Sequence, residues 1–350
     1  MSPAYRVGGY VVGRSLDSVS ASDAAMLTDL FVAFAVIEDG AVVYRKPEEL
    51  AHLDRLREAN PNLRIVLSIG GWGAGGFSEA AGTPDGRRAF ARSAVALVRR
   101  HGFDGLDVDW EYPCYSAAGI AAAPSDRETF TLLLSQTREE LERHSAAAGR
   151  PFCLTIAVGA DQYFIEGTRM DVVQGLVDLV NVMTYDMRGG FQVLTGHHTC
   201  LHHSTGDLYR ISAARSLDLY EQAGVPRAKM AMGAAFYGRT WSRVPDRYHG
   251  LFQMSAGVGR GGPGYGELES AYIGRDGFSR YWDDEAKAPY LFDGSTFISF
   301  DDPQSLEHKA DYVRAGGYAG IFYWEHSLDP SGALLGTISR CLAAGADGGR

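Results

Sequence analysis

The chain has 350 residues, of which 45% are hydrophobic and 22% are charged. This length and composition argue against a disordered chain and favour one large domain, or a barrel with an insertion, over several small domains. The net charge of −10 argues against nucleic acid or an anionic membrane as a partner. No apolar run approaches the roughly 18 residues of a membrane-spanning helix.

Eight short apolar segments predict β-strands. They are residues 6–12, 30–37, 64–72, 105–112, 152–160, 179–186, 229–238 and 320–326. Amphipathic segments with helical periodicity lie between several of them, at residues 47–60, 85–102, 126–149, 212–224 and 305–317. Strands that alternate with helices are typical of parallel sheets with right-handed crossovers. Eight such strands predict an α/β fold of the (β/α)8 TIM-barrel type, whose usual length is about 250 residues.

The additional length follows the seventh strand. Residues 239–300 are rich in glycine and aromatic residues, and we interpret them as a small α+β insertion. The predicted barrel domain comprises residues 1–240 and 298–350, and the insertion comprises residues 241–297. An insertion on this side would deepen a cleft at the carboxyl ends of the strands. The last residues, 345–350, are expected to fray.

The segment FDGLDVDWEYP, residues 103–113, alternates three acids with apolar residues. On a strand, Asp107, Asp109 and Glu111 would point to one face, and their proximity and burial would disfavour ionisation. Active sites of barrels lie at the carboxyl ends of the strands, where aromatic residues of other strands join these acids. Acids surrounded by aromatic rings suit a polyhydroxylated sugar. A solvated strand and a divalent metal site remain alternatives for these three acids. Asp104 would point to the opposite face of the strand, which predicts a structural role at the start of the strand.

Five motifs, each at or after a predicted strand, resemble those of family-18 glycoside hydrolases, the chitinase family. They are SIGGW (68–72), DGLDVDWEYP (104–113), NVMTYD (181–186), GAAFYGRTW (233–241) and YWEHSLDPSG (323–332). The insertion resembles the small α+β domain of a processive, exo-type subfamily. The resemblance implies a chitinase that cleaves β-1,4 bonds between N-acetylglucosamine units by a retaining, substrate-assisted mechanism. Its partner is chitin or a chito-oligosaccharide, and no cofactor is implied.

The resemblance also implies residue roles. Glu111 is the general acid, and later the base; Asp109 orients the substrate acetamido group and Asp107 shares a proton with Asp109. Tyr185 donates to the acetamido oxygen, and Asp186 holds substrate hydroxyls or the distorted ring. The implied substrate-binding residues are Tyr10, Phe34, Trp72, Tyr112, Met183, Phe191, Tyr237, Arg239 and Trp324. Phe191 stands where many family members have Trp, which predicts a weaker subsite on the positive side.

Two other functions remain open. A chitinase-like lectin would bind without cleavage, but such relatives have usually lost the acid that Glu111 provides. Another family-18 hydrolase, such as an endo-β-N-acetylglucosaminidase, would generally lack the insertion. Release of chromophore from chitobiose and chitotriose conjugates separates these alternatives.

The four cysteines, Cys114, Cys153, Cys200 and Cys341, form no CxxC pair, and free thiols are expected, with a Cys114–Cys200 disulfide as the alternative. The segment TGHHTCLHHS (195–204) contains four histidines, but TGHH resembles a family loop beside the cleft, so no metal site is expected. The family is mostly secreted, and the first residues lack a signal-peptide pattern. A cytoplasmic protein and a removed signal therefore both remain open. A monomer is expected.

Overall fold

The computed structural model describes residues 5–275 and 277–344, and the tail expected to fray lies outside them. The strands of the described residues are β1 (Arg6–Val12), β2 (Asp29–Glu38), β3 (Ala41–Val43), β4 (Arg64–Gly70), β5 (Gly105–Asp109), β6 (Cys153–Gly159), β7 (Leu179–Met183), β8 (Met230–Ala235), β9 (Tyr237–Trp241), β10 (Arg260–Gly264), β11 (Ser279–Asp283), β12 (Ala288–Phe292), β13 (Phe297–Ser299) and β14 (Gly320–Trp324).

Eight parallel strands form a closed barrel. Their order is β1-β14-β8-β7-β6-β5-β4-β2, and β1 pairs with β2 to close it. The fold is therefore the (β/α)8 TIM barrel predicted from the sequence. Short β3 pairs with the end of β2 as a hairpin.

The α-helices of the described residues are α1 (Ala21–Met26), α2 (Leu53–Ala59), α3 (Phe77–Gly82), α4 (Pro84–His101), α5 (Asp126–Ala148), α6 (Gln162–Glu166), α7 (Met170–Val173), α8 (Ala213–Gln222), α9 (Tyr265–Glu267), α10 (Pro303–Gly316) and α11 (Ala333–Ala343). Helices α4, α5 and α10 are each followed by a glycine in the left-handed region, which ends the helix. No helix in residues 5–275 and 277–344 is both long enough and apolar enough to cross a membrane.

Two hydrophobic cores lie on opposite sides of the barrel wall. Leu106 and Val108 of β5 belong to the large core between the strands and the helices. A smaller core fills the barrel interior, with Phe31, Val66 and Phe322 among its buried members. Because alternate residues of a strand point to opposite faces, Asp107 and Asp109 face this interior.

A five-stranded antiparallel sheet follows β8. Its order is β10-β9-β13-β12-β11, so it extends from Tyr237 to Ser299. In the structure, the predicted seventh strand, residues 229–238, comprises all of β8 and the first two residues of β9. Phe236 separates the two strands, and its N–H donates to the carbonyl of Trp324 (2.9 Å), which is the last bond between β8 and β14. Tyr237 and Arg239 therefore lie on the first strand of the inserted sheet.

Several predicted strands extend too far at their carboxyl ends. Strand β5 ends at Asp109, β7 at Met183 and β14 at Trp324, because the chain turns away from its neighbours at the barrel mouth. Glu111 therefore lies on a loop two residues beyond the strand. The alternation still holds as far as Trp110, which is buried and stacks on Phe77 with ring centroids 5.3 Å apart.

All four cysteines belong to the described residues and are free thiols. The alternative Cys114–Cys200 disulfide is wrong. Cys114 instead contacts the carbonyls of Pro124 and Gly167, and Cys200 lies near the carbonyl of Ile211.

A buried ion pair fastens the second sheet to the barrel. Lys309 of α10 donates to Asp301 (2.7 Å), and both side chains are fully buried. The same carboxylate accepts hydrogen bonds from Thr199 (2.8 Å) and from the backbone N–H of Ala235 at the end of β8 (3.1 Å). Asp301 thus holds together the loop after β7, the end of β8 and the segment after β13.

Replacement of Lys309 by Met would leave the Asp301 carboxylate buried without a cation. We expect a loss of about 3–5 kcal/mol in the free energy of unfolding, measured by urea denaturation at pH 7. The double variant Lys309→Met/Asp301→Asn removes both charges and should recover part of the loss. A single variant that loses less than about 1 kcal/mol would contradict this account of the pair.

Candidate active site

A cavity of about 760 Å³ opens at the carboxyl ends of the barrel strands. It is lined by all but one of the fourteen predicted site residues: Tyr10, Phe34, Trp72, Asp109, Glu111, Tyr112, Met183, Tyr185, Asp186, Phe191, Tyr237, Arg239 and Trp324. The exception, Asp107, is buried one strand period below Asp109. Residues that are far apart in the sequence meet here because parallel barrel strands all end on one side.

Asp107 lies in a cage of hydroxyl groups. It accepts hydrogen bonds from Tyr10 (2.9 Å), Ser68 (2.7 Å) and Thr155 (2.6 Å). Burial raises the pKa of Asp107, and the three hydroxyl donors act against this rise by stabilising the carboxylate. Asp107 is thus a hydrogen-bond acceptor inside the barrel.

Tyr10 belongs to this cage and also lines the cavity. Only 2% of its surface is exposed, since its ring stacks on Phe31 with centroids 4.6 Å apart. Asn181 donates to the Tyr10 hydroxyl (3.1 Å), which in turn donates to Asp107.

Asp109 is buried with one carboxyl oxygen, Oδ1, that has no hydrogen-bond partner. Burial raises its pKa well above the usual value, and the charges of Glu111 and Asp107 raise it further. No hydrogen bond among the described residues joins Asp107 to Asp109, so the expected proton sharing has no direct contact behind it in this structure. The unpartnered oxygen is free to accept an N–H or O–H of a ligand.

Glu111 is the proton-holding group at the mouth. Burial raises the pKa of Glu111 to about 7, the Tyr112 hydroxyl opposes the rise, and the charge of Asp186 adds to it. A carboxyl group with this pKa is protonated in a large fraction of molecules at neutral pH. It can therefore give a proton to a leaving group and take one from water.

The surroundings of Asp186, in contrast, favour its ionised form. Burial alone would raise its pKa, but contacts with His198 and Arg239 outweigh burial and lower the pKa of Asp186. Arg239 donates to both carboxyl oxygens, at 2.6 and 2.5 Å, in the fork geometry that suits a carboxylate. Arg239 is thus oriented by Asp186 at the edge of the cavity.

Two glycines let the third barrel strand approach the acids. Gly70 has a φ of 123°, and a Cβ there would collide with the backbone carbonyl of Asp109. The N–H of Gly71, whose φ is also positive, donates to that same carbonyl (2.9 Å). The SIGGW motif therefore needs small residues for this close approach of two backbones.

Aromatic rings surround the acids on two sides. Trp324 stacks on Phe34 with centroids 5.5 Å apart. On the other side Trp72 and Phe191 are 55% and 67% exposed, and their centroids are 6.2 Å apart. Such free ring faces can bind the C–H faces of a sugar, which leaves the carboxyl groups for its polar atoms. Tyr185, Met183 and Tyr237 line the wall between them.

Two of the four histidines of residues 195–204 make hydrogen bonds to the inserted sheet. Nε2 of His197 hydrogen-bonds Asp283 (3.0 Å), and that of His198 hydrogen-bonds the carbonyl of Tyr237 (3.2 Å). Among the described residues, no group of three or more His, Cys, Asp or Glu side chains could hold a metal ion.

Asp104 accepts a hydrogen bond from the N–H of Ile65 and pairs with Arg150, in agreement with its expected structural role.

Half of the 26 described residues that line the cavity were not predicted from the sequence, and Asp161, Tyr115 and Tyr163 are among them. The two tyrosines lie 5.1 Å apart by ring centroid, and burial raises the pKa of Asp161. A usable signal existed for Asp161, because it is the first polar residue after a predicted barrel strand. The tyrosines carried no such signal, since each lies in a loop or on the short helix α6.

The fold and the site together define the class of TIM-barrel glycosidases. Within that class the chain belongs to the glycosyl hydrolases family 18, whose family model matches residues 6–329.

Comparison with individual proteins gives the same placement. The chain is 36% identical over 310 residues to chitinase A1 of Niallia circulans. The matched region covers 84% of this chain but only 44% of that protein. The structure of a family-18 N-acetylglucosaminidase from Paenibacillus barengoltzii has a TM-score of 0.95 and 52% identity, and covers 97% of this chain and 100% of that one. The structure of the Group IV chitinase of Ostrinia furnacalis in complex with allosamidin has a TM-score of 0.87 and 28% identity. The match covers 97% of this chain and 99% of that one.

Replacement of Asp186 by Asn should move the alkaline limb of the pH profile. If Glu111 must be protonated in the free enzyme, kcat/KM falls as the pH rises through about 7. Removal of the Asp186 charge stabilises ionised Glu111, so its pKa falls and the limb moves to lower pH by about half a unit to one unit. The measurement is kcat/KM for a chromogenic glycoside between pH 4 and pH 9.

Asp161→Asn is the matched control, because Asp161 lines the same cavity but is not among the groups that shift Glu111. The alkaline limb of the kcat/KM profile of Asp161→Asn should therefore lie at the same pH as that of wild type. An unchanged or upward-shifted limb in Asp186→Asn would show that another group controls the alkaline side.

Proposed function

We propose that the protein hydrolyses β-1,4 bonds between N-acetylglucosamine units of chitin or chito-oligosaccharides by a retaining, substrate-assisted mechanism. The observation that carries this proposal is the pair Asp109 and Glu111. One buried acid has an unpartnered acceptor oxygen, and its neighbour has a pKa of about 7. The N–H of a substrate acetamido group can donate to the unpartnered oxygen of Asp109, and a glycosidic oxygen can receive the proton of Glu111.

In the first step Glu111 gives its proton to the glycosidic oxygen, and the bond from this oxygen to C1 breaks. The acetamido oxygen of the substrate attacks C1 and forms an oxazolinium ion, so no carboxylate of the protein becomes bonded to the sugar. Asp109 accepts the acetamido N–H, which orients the group and stabilises the positive charge that develops there. Tyr185 donates its hydroxyl to the acetamido oxygen.

In the second step Glu111, now ionised, takes a proton from water. The resulting oxygen nucleophile attacks C1 from the side that the leaving group vacated and reopens the ring of the intermediate. Two successive displacements at C1 return the original configuration. Trp324 provides the platform beneath the reacting sugar, and Trp72 and Phe191 bind the sugars of the leaving side.

A second candidate is the release of single N-acetylglucosamine units. It is favoured by the structure with 52% identity, which is described as an N-acetylglucosaminidase. An endo-β-N-acetylglucosaminidase remains a weaker alternative. A lectin without catalysis is disfavoured, because Glu111 is present with the pKa of a general acid.

The products from chitohexaose distinguish these candidates. We expect wild type to release mainly short oligomers such as chitobiose, with the β-anomer formed first because configuration is retained. Release of single units from the first time points would favour the second candidate. Failure on chitohexaose with cleavage of a high-mannose glycoprotein would support the endo-β-N-acetylglucosaminidase.

Replacement of Glu111 by Gln should lower kcat on a chitobiose conjugate by about 10²–10⁴-fold. It should also stabilise the fold at alkaline pH. The pKa of Glu111 is raised from 4.5 to about 7 in the folded protein, so the stability that its proton provides is present below pH 4.5 and is lost as the pH rises through 7. Gln does not ionise, so the variant should exceed wild type by roughly 2–3 kcal/mol at pH 8 and match it near pH 4.

Chromophore release and urea denaturation at pH 4 and pH 8 measure the two effects. Glu166→Gln is the control, because Glu166 ends α6 and does not line the cavity. Turnover that is unchanged in Glu111→Gln would refute its role as the acid. Equal stabilities of the variant and wild type at pH 8 would refute the burial that raises its pKa.

A further inference from the structure

A second cavity, of about 610 Å³, lies on the inserted sheet outside the cleft. Three segments supply most of its lining: residues 204–206 after β7, residues 248–253 after β9, and residues 282–285 at the end of β11 and in the turn that follows it. Tyr248, Phe252 and Trp282 are among the aromatic residues that line it, and Tyr248 is 78% exposed at its edge. We call this cavity the sheet groove.

The sheet groove and the catalytic cleft share one wall. Gln192 lines the cleft, while three residues further on the N–H of Thr195 donates to the carbonyl of Gln253 (2.9 Å), which lines the groove. Between them Leu194 pairs with Met254 as an antiparallel bridge. Exposed apolar side chains mark this wall, since Phe191 stands at the cleft and Met254 is 69% exposed. A chain that leaves the cleft at Phe191 therefore meets a surface that leads to the groove.

The groove is rigidly built. Asp283 accepts hydrogen bonds from the N–H groups of Glu285 and Ala286 (both 3.1 Å), and its other oxygen contacts His197 (3.0 Å) and Ser204. The Glu285 carboxylate accepts from the N–H of Thr205. These bonds fasten the turn between β11 and β12 to the loop after β7, so two sides of the groove are held together.

The third side has a strained backbone. Tyr248, His249 and Phe252 have φ values of 51°, 52° and 55°, a region that bulky side chains rarely adopt. His249 stacks on Tyr281 with centroids 4.1 Å apart, which leaves the Tyr248 ring directed to solvent. Strain of this kind is retained where surrounding contacts enforce it, often at ligand sites.

The chemistry of the lining selects the ligand. No Lys, Arg or His is among the described residues that line the groove, whereas Asp283, Asp284 and Glu285 are. This lining disfavours an anion. Aromatic faces beside carboxylate, amide and hydroxyl groups suit a neutral ring that carries many O–H and N–H donors. A carbohydrate has this chemistry, and the one in reach is the continuation of the substrate chain.

We propose that the sheet groove is a secondary binding site for a β-1,4-linked N-acetylglucosamine chain, which holds a polymer whose other part lies in the catalytic cleft. This inference rests on the proposed function. Two linked sites on one chain raise the effective concentration of the second, so the groove would strengthen the binding of long chains without affecting short ones.

The test compares Tyr248→Ala with wild type on two substrates. On insoluble chitin at low substrate concentration the variant should be about three- to tenfold slower, because the loss of one exposed aromatic contact weakens binding by about that factor. On a chitobiose conjugate, which is too short to reach the groove, kcat/KM should be unchanged. Tyr248→Phe keeps the ring and should behave as wild type. Leu132→Ala, at an exposed apolar residue of α5, should leave both rates unchanged.

Titration of chitohexaose into the Glu111→Gln protein gives a second readout. We expect a tight site and a weaker site, and the addition of Tyr248→Ala or Trp282→Ala should abolish only the weaker one. A single site that is insensitive to both changes, with wild-type rates on chitin, would overturn the inference. Failure of the proposed function would differ from this result, since the chitobiose conjugate would then not be cleaved and chitohexaose would bind at neither site.

Discussion

Asp109 and Glu111 are buried side by side at the barrel mouth, and the chemistry of the site depends on this constraint. Two carboxylates so close in a medium of low polarity cannot both ionise at low cost. The pKa values of both groups are raised, with burial as the larger cause. A proton is thereby retained at the barrel mouth near neutral pH, which is the condition for a carboxyl group to act as an acid there.

The other two carboxyl groups show how environment assigns different states to one functional group. Asp107 is surrounded by hydroxyl donors that stabilise its charge, whereas Asp186 is paired with Arg239 and its pKa is lowered. Their charges in turn act on the reacting pair, since Asp107 raises the pKa of Asp109 and Asp186 raises that of Glu111. Both charges therefore add to the larger effect of burial and favour the protonated forms of Asp109 and Glu111.

The eight barrel strands and half of the described cavity lining could be predicted from the sequence, because apolar segments and polar residues at strand ends are local signals. Features that depend on tertiary contacts could not. The sequence showed Tyr10 as an aromatic residue on a strand, but only packing on Phe31 turns its hydroxyl towards Asp107. Helices α1, α3, α6 and α7 have six residues or fewer, too short for a helical period to be visible. The sheet groove comes from three segments that are distant in sequence.

The inserted sheet is part of the site and not an appendage to it. Its first strand carries Tyr237 and Arg239, so the side chain that neutralises Asp186 comes from the insertion and not from the barrel. Any shift of this sheet would separate Arg239 from Asp186 and change the charge that acts on Glu111. The buried pair Lys309–Asp301 opposes such a shift, because Asp301 bonds the end of β8 and the loop after β7. The buried ion pair therefore helps to keep Arg239 of the inserted sheet against Asp186 of the loop after β7.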